Sequence, residues 1–191
     1  MDEVIEQRSL PLQDEDGLVR RAQKQDSAAF AQLYEAYFDK IYRYIALRIR
    51  NEMEAEDLTQ QVFMKVLQSI SSYKNKGVPF SSWVYRIAHN QVIDFLRQQN
   101  KKATVDIEGL PLPDLGDDPQ HMMEKEIDIE DLKKATRKLT AAQQEVLSLR
   151  FTGELSIAQC SEIMGKSEGA IKALQHSAVL ALRKALVVDE L

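Results

Sequence analysis

The sequence predicts an all-α protein in which an acidic flexible linker joins two small helical domains. Three observations support this fold class. Apolar residues recur at steps of three and four in successive stretches, which is the period of an amphipathic helix. Prolines, glycines and aspartates concentrate in residues 103–120, as they do in linkers. The charge is also distributed in blocks, and the block boundaries coincide with the linker. We therefore predict a tail at 1–17, domains at 18–102 and 137–191, and a linker at 103–136.

The net charge of −5 at pH 7 conceals blocks of opposite sign. Residues 1–17 carry six acids against one base, and residues 103–136 carry ten against three. Residues 18–102 instead carry fourteen bases against eight acids, while 137–191 are nearly balanced at seven against six. Nucleic-acid binding depends on a local basic patch rather than on the net charge of the whole protein. The first domain is therefore compatible with nucleic-acid binding in spite of a pI near 5.3.

Composition disfavours several other classes of protein. The 44% hydrophobic residues suffice for real cores, yet no apolar run reaches the length of a membrane span. No secretory signal is recognisable, so we expect a cytoplasmic protein. The single cysteine, Cys160, rules out an internal disulfide framework and a cysteine-rich zinc site. His89, His121 and His176 lack metal-spaced partners, so we expect neither a metal, nor a cofactor, nor an enzyme.

The first domain should contain three long amphipathic helices. Asp26 and Ser27 precede a helix that runs to about residue 49. A second helix with an acidic start covers about 52–70, and its predicted buried stripe is Leu58, Val62, Phe63, Val66, Leu67 and Ile70. Residues 71–79 form a turn-rich basic loop, and a third helix follows at 80–102, with Ser81 or Ser82 as its expected cap. One face of that helix is apolar and the other is polar. Aromatic residues beside basic residues are typical of sites that bind single-stranded nucleic acid. The same pattern is equally compatible with a polar helix face that only contacts water.

The second domain has the layout of a helix-turn-helix. Thr140 is predicted to cap one helix, Ser156 a short helix, and Ser167 a longer one. Gly165 lies between the short and the long helix, where a turn needs a positive φ. Cys160 is expected in the core, where burial makes a thiol inert. The start of the longer helix is the part that would enter a major groove.

Four motifs in this order resemble an extracytoplasmic-function (ECF) sigma factor of the bacterial sigma-70 family. They are AEDLTQQVFMKV (55–66), FSSWVYRIAHNQVIDFLRQ (80–98), LTAAQQEVLSLRF (139–151) and IAQCSEIMGKSEGAIKALQHSAVLALR (157–183). The resemblance implies that the first domain is sigma region 2 and the second region 4. It also implies a non-enzymatic protein that binds core RNA polymerase and promoter DNA, and that an anti-sigma factor controls.

The resemblance assigns roles to three groups of residues. The expected polymerase contacts are Asp57, Leu58, Gln60, Gln61 and Phe63. The expected contacts to the −10 element are Tyr73, Lys74, Asn75, Lys76, Arg86, Asn90, Asp94 and Arg97. The expected contacts to the −35 element are Lys166, Ser167, Glu168, Lys172, Gln175 and His176. Ala173 and Ser177 occupy positions where family members often carry a basic residue, which suggests weaker phosphate contacts in region 4.

Two other functions are compatible with the same residues. A DNA-binding regulator could use the helix-turn-helix without ever joining polymerase, and it would have no use for an exposed Asp57 surface. A helical adaptor with protein partners alone would show no salt-dependent DNA binding. The acids at 54–57 have a simpler explanation too, because a helix dipole favours acids near its first turn.

Overall fold

The computed structural model describes residues 14–49, 51–75, 77–105 and 129–188, and every regular element in these ranges is helical. The prediction of an all-α fold is therefore confirmed. The elements are α1 (Glu15–Ala22), α2 (Ser27–Ala46), α3 (Glu52–Ser69), a 3₁₀ turn (Ile70–Ser72), α4 (Phe80–Val105), α5 (Ile129–Arg137), α6 (Ala141–Leu147), a π turn (Ser148–Thr152), α7 (Ile157–Met164) and α8 (Glu168–Val188). None of these described helices is long and apolar enough to cross a membrane.

The N-terminal domain packs α1 to α4 around one apolar core. The most deeply buried side chains repeat at helical spacing on each long helix, and all are at most 2% exposed: Leu33, Ile41 and Ile45 on α2, Val62 and Val66 on α3, and Val84, Ala88 and Val92 on α4. Each of the valine, leucine and isoleucine side chains contributes about 1.5–3 kcal/mol when it leaves water. Trp83, Ile87, Phe95 and Leu96 pack on the edge of this core and stay partly exposed.

One helix cap in this domain confirms its prediction, and the starts of two other helices depart from the prediction. Asp26 caps α2 through bonds to the amides of Ala28 and Ala29, as predicted. Asn51 caps α3 in the same way. α1 begins at Glu15 with Asp14 as its cap, so helix extends into the predicted tail, whose residues 1–13 lie outside the described part of the chain.

The predicted serine cap of α4 is wrong. The helix begins at Phe80, so Ser82 lies inside its first turn, where it is 2% exposed and its Oγ has no hydrogen-bond partner. The carbonyl of Pro79 instead accepts the amide of Trp83 at 3.2 Å. Proline has no amide hydrogen to satisfy, so it suits the entrance of a helix.

The C-terminal domain packs α5 to α8 into a helix-turn-helix, and its predicted caps are all confirmed. Thr140 and Ser156 each form a capping box, with Gln143 and Gln159 respectively. The Oγ of Ser167 accepts the amide of Ala170 at 3.2 Å at the start of α8. Reciprocal side-chain bonds of the capping-box kind satisfy two of the free amides at a helix start.

The turn between α7 and α8 also has the predicted conformation. Gly165 adopts φ 61° and ψ 36°, the left-handed region. Ile171 of α8 and Cys160 of α7 are fully buried where the two helices cross. Burial raises the pKa of the Cys160 thiol to about 11, so the thiol stays protonated near neutral pH. The expectation of a buried core cysteine is confirmed.

Candidate polymerase and nucleic-acid interfaces

The surface of α3 presents part of the predicted polymerase contact set. Asp57, Gln60 and Gln61 are exposed. Leu58 and Phe63 are only 4% and 5% exposed, so in this structure they offer almost no surface to a partner. They face the core because they lie on the same side of α3 as Val62 and Val66. Their role is to hold the helix in place.

Two exposed apolar side chains on α3 are absent from the predicted polymerase contacts. Met64 is 55% exposed and Leu67 is 48% exposed, although the periodicity placed Leu67 in the buried stripe. They follow Gln60 at four and seven residues, which places all three on one outward face. Large apolar side chains that stay exposed beside polar ones are typical of protein-binding surfaces. The spacing from Gln60 was the signal that could have identified them.

The loop before α4 is anchored by a side chain that was predicted to bind DNA. Tyr73 is 8% exposed, and its hydroxyl donates to the carbonyl of Val78 at 2.7 Å. Its ring packs against Phe80 and Trp83. In this structure Tyr73 therefore offers almost no surface to promoter bases. Gln23, directly after α1, holds the same loop through its amide, which donates to the carbonyl of Tyr73 at 2.7 Å.

The loop exposes two of its predicted nucleic-acid contacts. Lys74 and Asn75 are both exposed. The Oδ1 of Asn75 accepts the amide of Gly77 at 3.3 Å, and Gly77 has a φ of 82°. This turn orients the Asn75 side chain along the loop. Lys76 lies outside the described residues.

The polar face of α4 forms one stripe. Arg86, Asn90, Asp94 and Arg97 are all exposed and recur at steps of three and four. Arg97 and Asp94 are 3.8 Å apart, a loose surface pair that leaves both groups accessible. Asn90 also borders a groove of about 370 Å³ between α3 and α4, together with Lys65, Gln68, Ser69, Ile87 and Gln91. The groove therefore opens directly beside the stripe at Asn90.

The start of α8 exposes most of the predicted −35 contacts. Lys166, Ser167, Glu168, Lys172 and His176 are exposed. Gln175 is half-buried, and its Oε1 accepts Nε of Arg150 at 3.1 Å. Arg150 also donates to the carbonyl of Leu155. Gln175 therefore braces the chain that leads into α7, and only its remaining amide group can meet a base.

A buried cluster of charges joins the two domains. Nη1 of Arg48, near the end of α2, lies 3.2 Å from Oε1 of Glu145 on α6 and donates to the hydroxyl of Tyr44 at 3.1 Å. Nδ1 of His89 lies against the same Glu145 oxygen. The Arg48 and Glu145 side chains are 3% and 9% exposed. The His89 side chain is only 16% exposed, so in this conformation it lies between the domains rather than in solvent.

Glu145 is ionised in this setting. Burial alone would raise the pKa of Glu145, but the neighbouring His89 and the charge of Arg48 outweigh it and hold that pKa below its ordinary value. Arg48 and Glu145 could not be paired from the sequence, because 97 residues separate them and no periodicity links their helices.

Two further polar contacts cross the interface between the domains, where apolar side chains of both domains also belong to one buried cluster. Arg86 and Glu162 of α7 form a pair at 3.1 Å, with both side chains about half exposed. The hydroxyl of Tyr85 donates to the carbonyl of Thr152 at 3.3 Å. A Cβ at Gly153 would lie 3.0 Å from the Tyr85 ring, so the π turn approaches α4 closely. Within the described ranges, no group of three or more His, Cys, Asp or Glu side chains could hold a metal ion.

Comparison with known proteins identifies the family. The family model for sigma-70 region 2 matches residues 33–102, and that for sigma-70 region 4 matches residues 136–184. The ECF RNA polymerase sigma factor BldN of Streptomyces coelicolor is 37% identical over 90% of this chain. The RNA polymerase sigma factor YlaC of Bacillus subtilis is 32% identical over 80% of it. The chain belongs to the ECF sigma factors of the sigma-70 family.

This chain spans a different share of each relative's length. The chain spans 66% of the length of BldN and 88% of the length of YlaC. Among solved structures, the sigma factor RpoE in complex with the anti-sigma factor NepR from Bartonella quintana matches with a TM-score of 0.69. That match has 24% identity and covers 84% of this chain and 98% of RpoE. At this identity the likeness establishes the fold alone.

The surfaces described above divide between the two sigma regions. The α3 face, the basic loop and the α4 stripe all lie within the region 2 match. The exposed start of α8 lies within the region 4 match. The buried cluster joins them, since Arg48 and His89 belong to region 2 and Glu145 to region 4.

Proposed function

We propose that this ECF sigma factor binds core RNA polymerase and directs initiation at promoters by reading their −35 and −10 elements. It acts as a non-enzymatic specificity subunit in the cytoplasm. The observation that carries the proposal is the presence of both sigma regions in order, each with its own exposed polar surface. A regulator that never joined polymerase would have no use for the α3 surface.

The proposal divides the chain into functional parts. Residues 18–102 serve as region 2, residues 137–191 as region 4, residues 103–136 as the tether between them, and residues 1–17 as a tail. The helices that begin at Glu15 and Ile129 extend the two folded parts slightly beyond these bounds. The centre of the tether lies outside the described residues.

Polymerase binding is assigned to the outward face of α3. Asp57, Gln60 and Gln61 supply polar groups, and Met64 and Leu67 supply apolar area that water surrounds in the free protein. A partner helix that covered this face would bury both methionine and leucine while meeting the polar groups at the rim. This combination of an apolar centre and a polar rim is typical of protein interfaces.

Recognition of the −10 element is assigned to the loop and the α4 stripe. Lys74 and Arg86 can hold phosphates, and Asn75 and Asn90 can meet the edges of unpaired bases. Exposing a base from duplex DNA costs a few kcal/mol, so a site for the exposed base offsets this cost. The groove beside Asn90 offers polar side chains from both α3 and α4.

Recognition of the −35 element is assigned to the start of α8. Its exposed residues comprise donors at Lys166 and Lys172, an acceptor at Glu168 and a ring at His176. The first turn of such a helix enters the major groove, where a carboxylate accepts from cytosine and lysine donates to guanine. Ala173 and Ser177 are uncharged and form no ion pairs with DNA phosphates. The affinity of this region for DNA should therefore depend on polymerase.

An anti-sigma factor is proposed as the regulator. The Bartonella sigma factor with the same fold was solved in complex with one. For this chain, such a partner would have to cover the α3 face or hold region 4 in place to prevent polymerase binding. Co-purification with this chain would identify the partner, which the sequence does not name.

In vitro transcription on a genomic library tests the proposal. Core RNA polymerase with the purified chain should start at a defined set of sites that share a −35 and a −10 sequence. Core polymerase alone serves as the control. Starts that are no more specific than those of core polymerase would overturn the proposal. A pull-down with core polymerase separates the rival regulator, which would bind duplex DNA and leave the polymerase behind.

A further inference from the structure

The interface between the domains places two carboxylates of region 4 on three basic groups of region 2. Glu145 contacts Arg48 at 3.2 Å and also touches Nδ1 of His89. Glu162 contacts Arg86 at 3.1 Å near the edge of the interface. We call the conformation with these contacts the closed protein.

The three basic groups adjoin the surface proposed to meet promoter DNA. Arg86 and His89 are three residues apart on α4, and residues at this spacing are neighbours on a helix. Asn90 follows directly, and the stripe continues to Arg97. Arg48 approaches the same place from the end of α2, because it and His89 share one carboxylate oxygen.

We propose that Arg48, Arg86 and His89 form an anion-binding site of region 2 that takes a backbone phosphate of nucleic acid, and that Glu145 and Glu162 occupy it in the closed protein. The proposal rests on the proposed function, because it assumes that the α4 stripe meets DNA. A guanidinium group forms the same forked hydrogen bonds to a phosphate as to a carboxylate. Docking of region 4 and phosphate binding at this site therefore exclude each other.

The burial of the cluster explains why a single residue can control closure. Removing one partner of a buried ion pair is strongly unfavourable, because the other charge stays buried without compensation. Without the Glu145 carboxylate, the closed protein would bury the Arg48 charge with no counter-charge and would leave Nδ1 of His89 without its neighbouring oxygen. The domains should then separate, which returns both basic groups to water or to a phosphate.

Direct binding measurements test the occupancy of the site. The probe is a fluorescein-labelled single-stranded oligothymidylate, and the readout is fluorescence anisotropy with the full chain. Glu145→Gln should bind at least about fivefold tighter than the wild type, the lower end of usual coupling between sites. Glu162→Gln should bind about twofold tighter, because its pair is exposed. Glu35→Gln, an exposed change on α2, is the control for the lost negative charge.

A second variant tests whether the site holds phosphate. In the Glu145→Gln background, Arg48→Gln should weaken binding and should reduce the slope of log affinity against log salt by about 0.7, the value for one lost phosphate contact to a single strand. If the double variant keeps the affinity and the slope of Glu145→Gln, Arg48 does not hold a phosphate and the site is wrong. If Glu145→Gln binds no tighter than Glu35→Gln, the carboxylate does not occupy the site.

Two controls keep these outcomes interpretable. Circular dichroism and thermal unfolding establish that each variant folds. Should Glu145→Gln fail to fold, the exposed pair carries the test: Glu162→Gln should tighten binding, and Glu162→Gln combined with Arg86→Gln should lose that gain and part of the salt slope. Promoter-specific transcription by the wild type tests the proposed function separately. Normal transcription with unchanged oligonucleotide binding in the variants would overturn this inference alone.

Discussion

Gly165 shows how one residue fixes the angle of the helix-turn-helix. Its φ of 61° lies in the left-handed region, and open space surrounds the position where a Cβ would stand. Gly165→Ala should therefore destabilise the protein through backbone strain alone, by about 1–2 kcal/mol. Urea unfolding measures this change. An unchanged free energy of unfolding would show that the turn does not need a left-handed residue.

Gly169 provides the matched control for this substitution. It lies in the first turn of α8, and a Cβ added there would also meet open space, but its φ is not positive. Gly169→Ala should stabilise the protein by about 0.5 kcal/mol, because alanine loses less backbone entropy in a helix. The same chemical change should thus have opposite signs at two positions four residues apart.

Three residues that the family resemblance assigned to partners differ from the other assigned residues. Leu58 and Phe63 were assigned to polymerase because a family motif contains them, and Tyr73 was assigned to DNA because it lies in the loop before the second motif. The structure buries all three. A motif contains the residues that support a surface together with those that form it, and the letters of the motif do not separate the two groups. Burial does, because a side chain below about a tenth exposed has almost no surface to offer another molecule without moving.

At the scale of elements, α7 depends on its capping box. It has eight residues, and a helix this short is marginal without caps and tertiary packing. Ser156→Ala should cost about 1 kcal/mol of unfolding free energy, because the amide of Gln159 loses its acceptor. Ser156→Thr keeps the hydroxyl and should be nearly neutral. Equal losses in both variants would mean that the hydroxyl bond is not the stabilising feature.

The α3 face and the loop before α4 should serve different steps of initiation. Asp57→Ala removes an exposed carboxylate and should weaken binding to core polymerase. Asn75→Ala removes a group exposed on the loop, and it should impair open-complex formation while it leaves core binding intact. Pull-down measures the first step, and potassium permanganate footprinting of a melted promoter measures the second. Equal loss of both steps in both variants would contradict this division.

At the scale of the whole molecule, the charge cluster should make closure depend on pH. Glu145 faces Tyr44 from α2, Arg48 from the residues just after α2, His89 from α4, and Lys166 and Cys160 from the helix-turn-helix. Its pKa is lowered in the closed protein, so the ionised carboxylate is the form that stabilises closure. That contribution is complete above the ordinary carboxyl pKa, about 4.3, and is lost as the pH falls through the lowered value.

Small-angle X-ray scattering measures the expected change. At pH 7 the wild type should have a smaller radius of gyration than Glu145→Gln. As the pH falls below the ordinary carboxyl range, the wild type should expand until the two proteins agree. Comparison with the variant cancels the general effects of acid on the rest of the chain. Equal radii at pH 7 would show that Glu145 does not hold the domains together.

Local sequence was enough to predict the all-α fold, the family, the caps of α2, α6, α7 and α8, and the glycine turn. These features depend on neighbours within a few residues, where periodicity and capping chemistry act directly. The predicted α4 cap is wrong because the helix already begins at Phe80, directly after Pro79, so that Ser82 lies within its first turn. Leu67 was misassigned because apolar spacing fits more than one face of a helix.

The way in which the two regions meet depends on tertiary packing instead. Arg48, His89 and Glu145 come from three separate parts of the chain, and each alone resembles an ordinary surface residue in the sequence. Their burial depends on the packing of region 4 against α2 and α4, which no local pattern encodes. A buried ion pair forms only where two separate surfaces bring opposite charges together out of water. That dependence makes the cluster suited to controlling the distance between the regions.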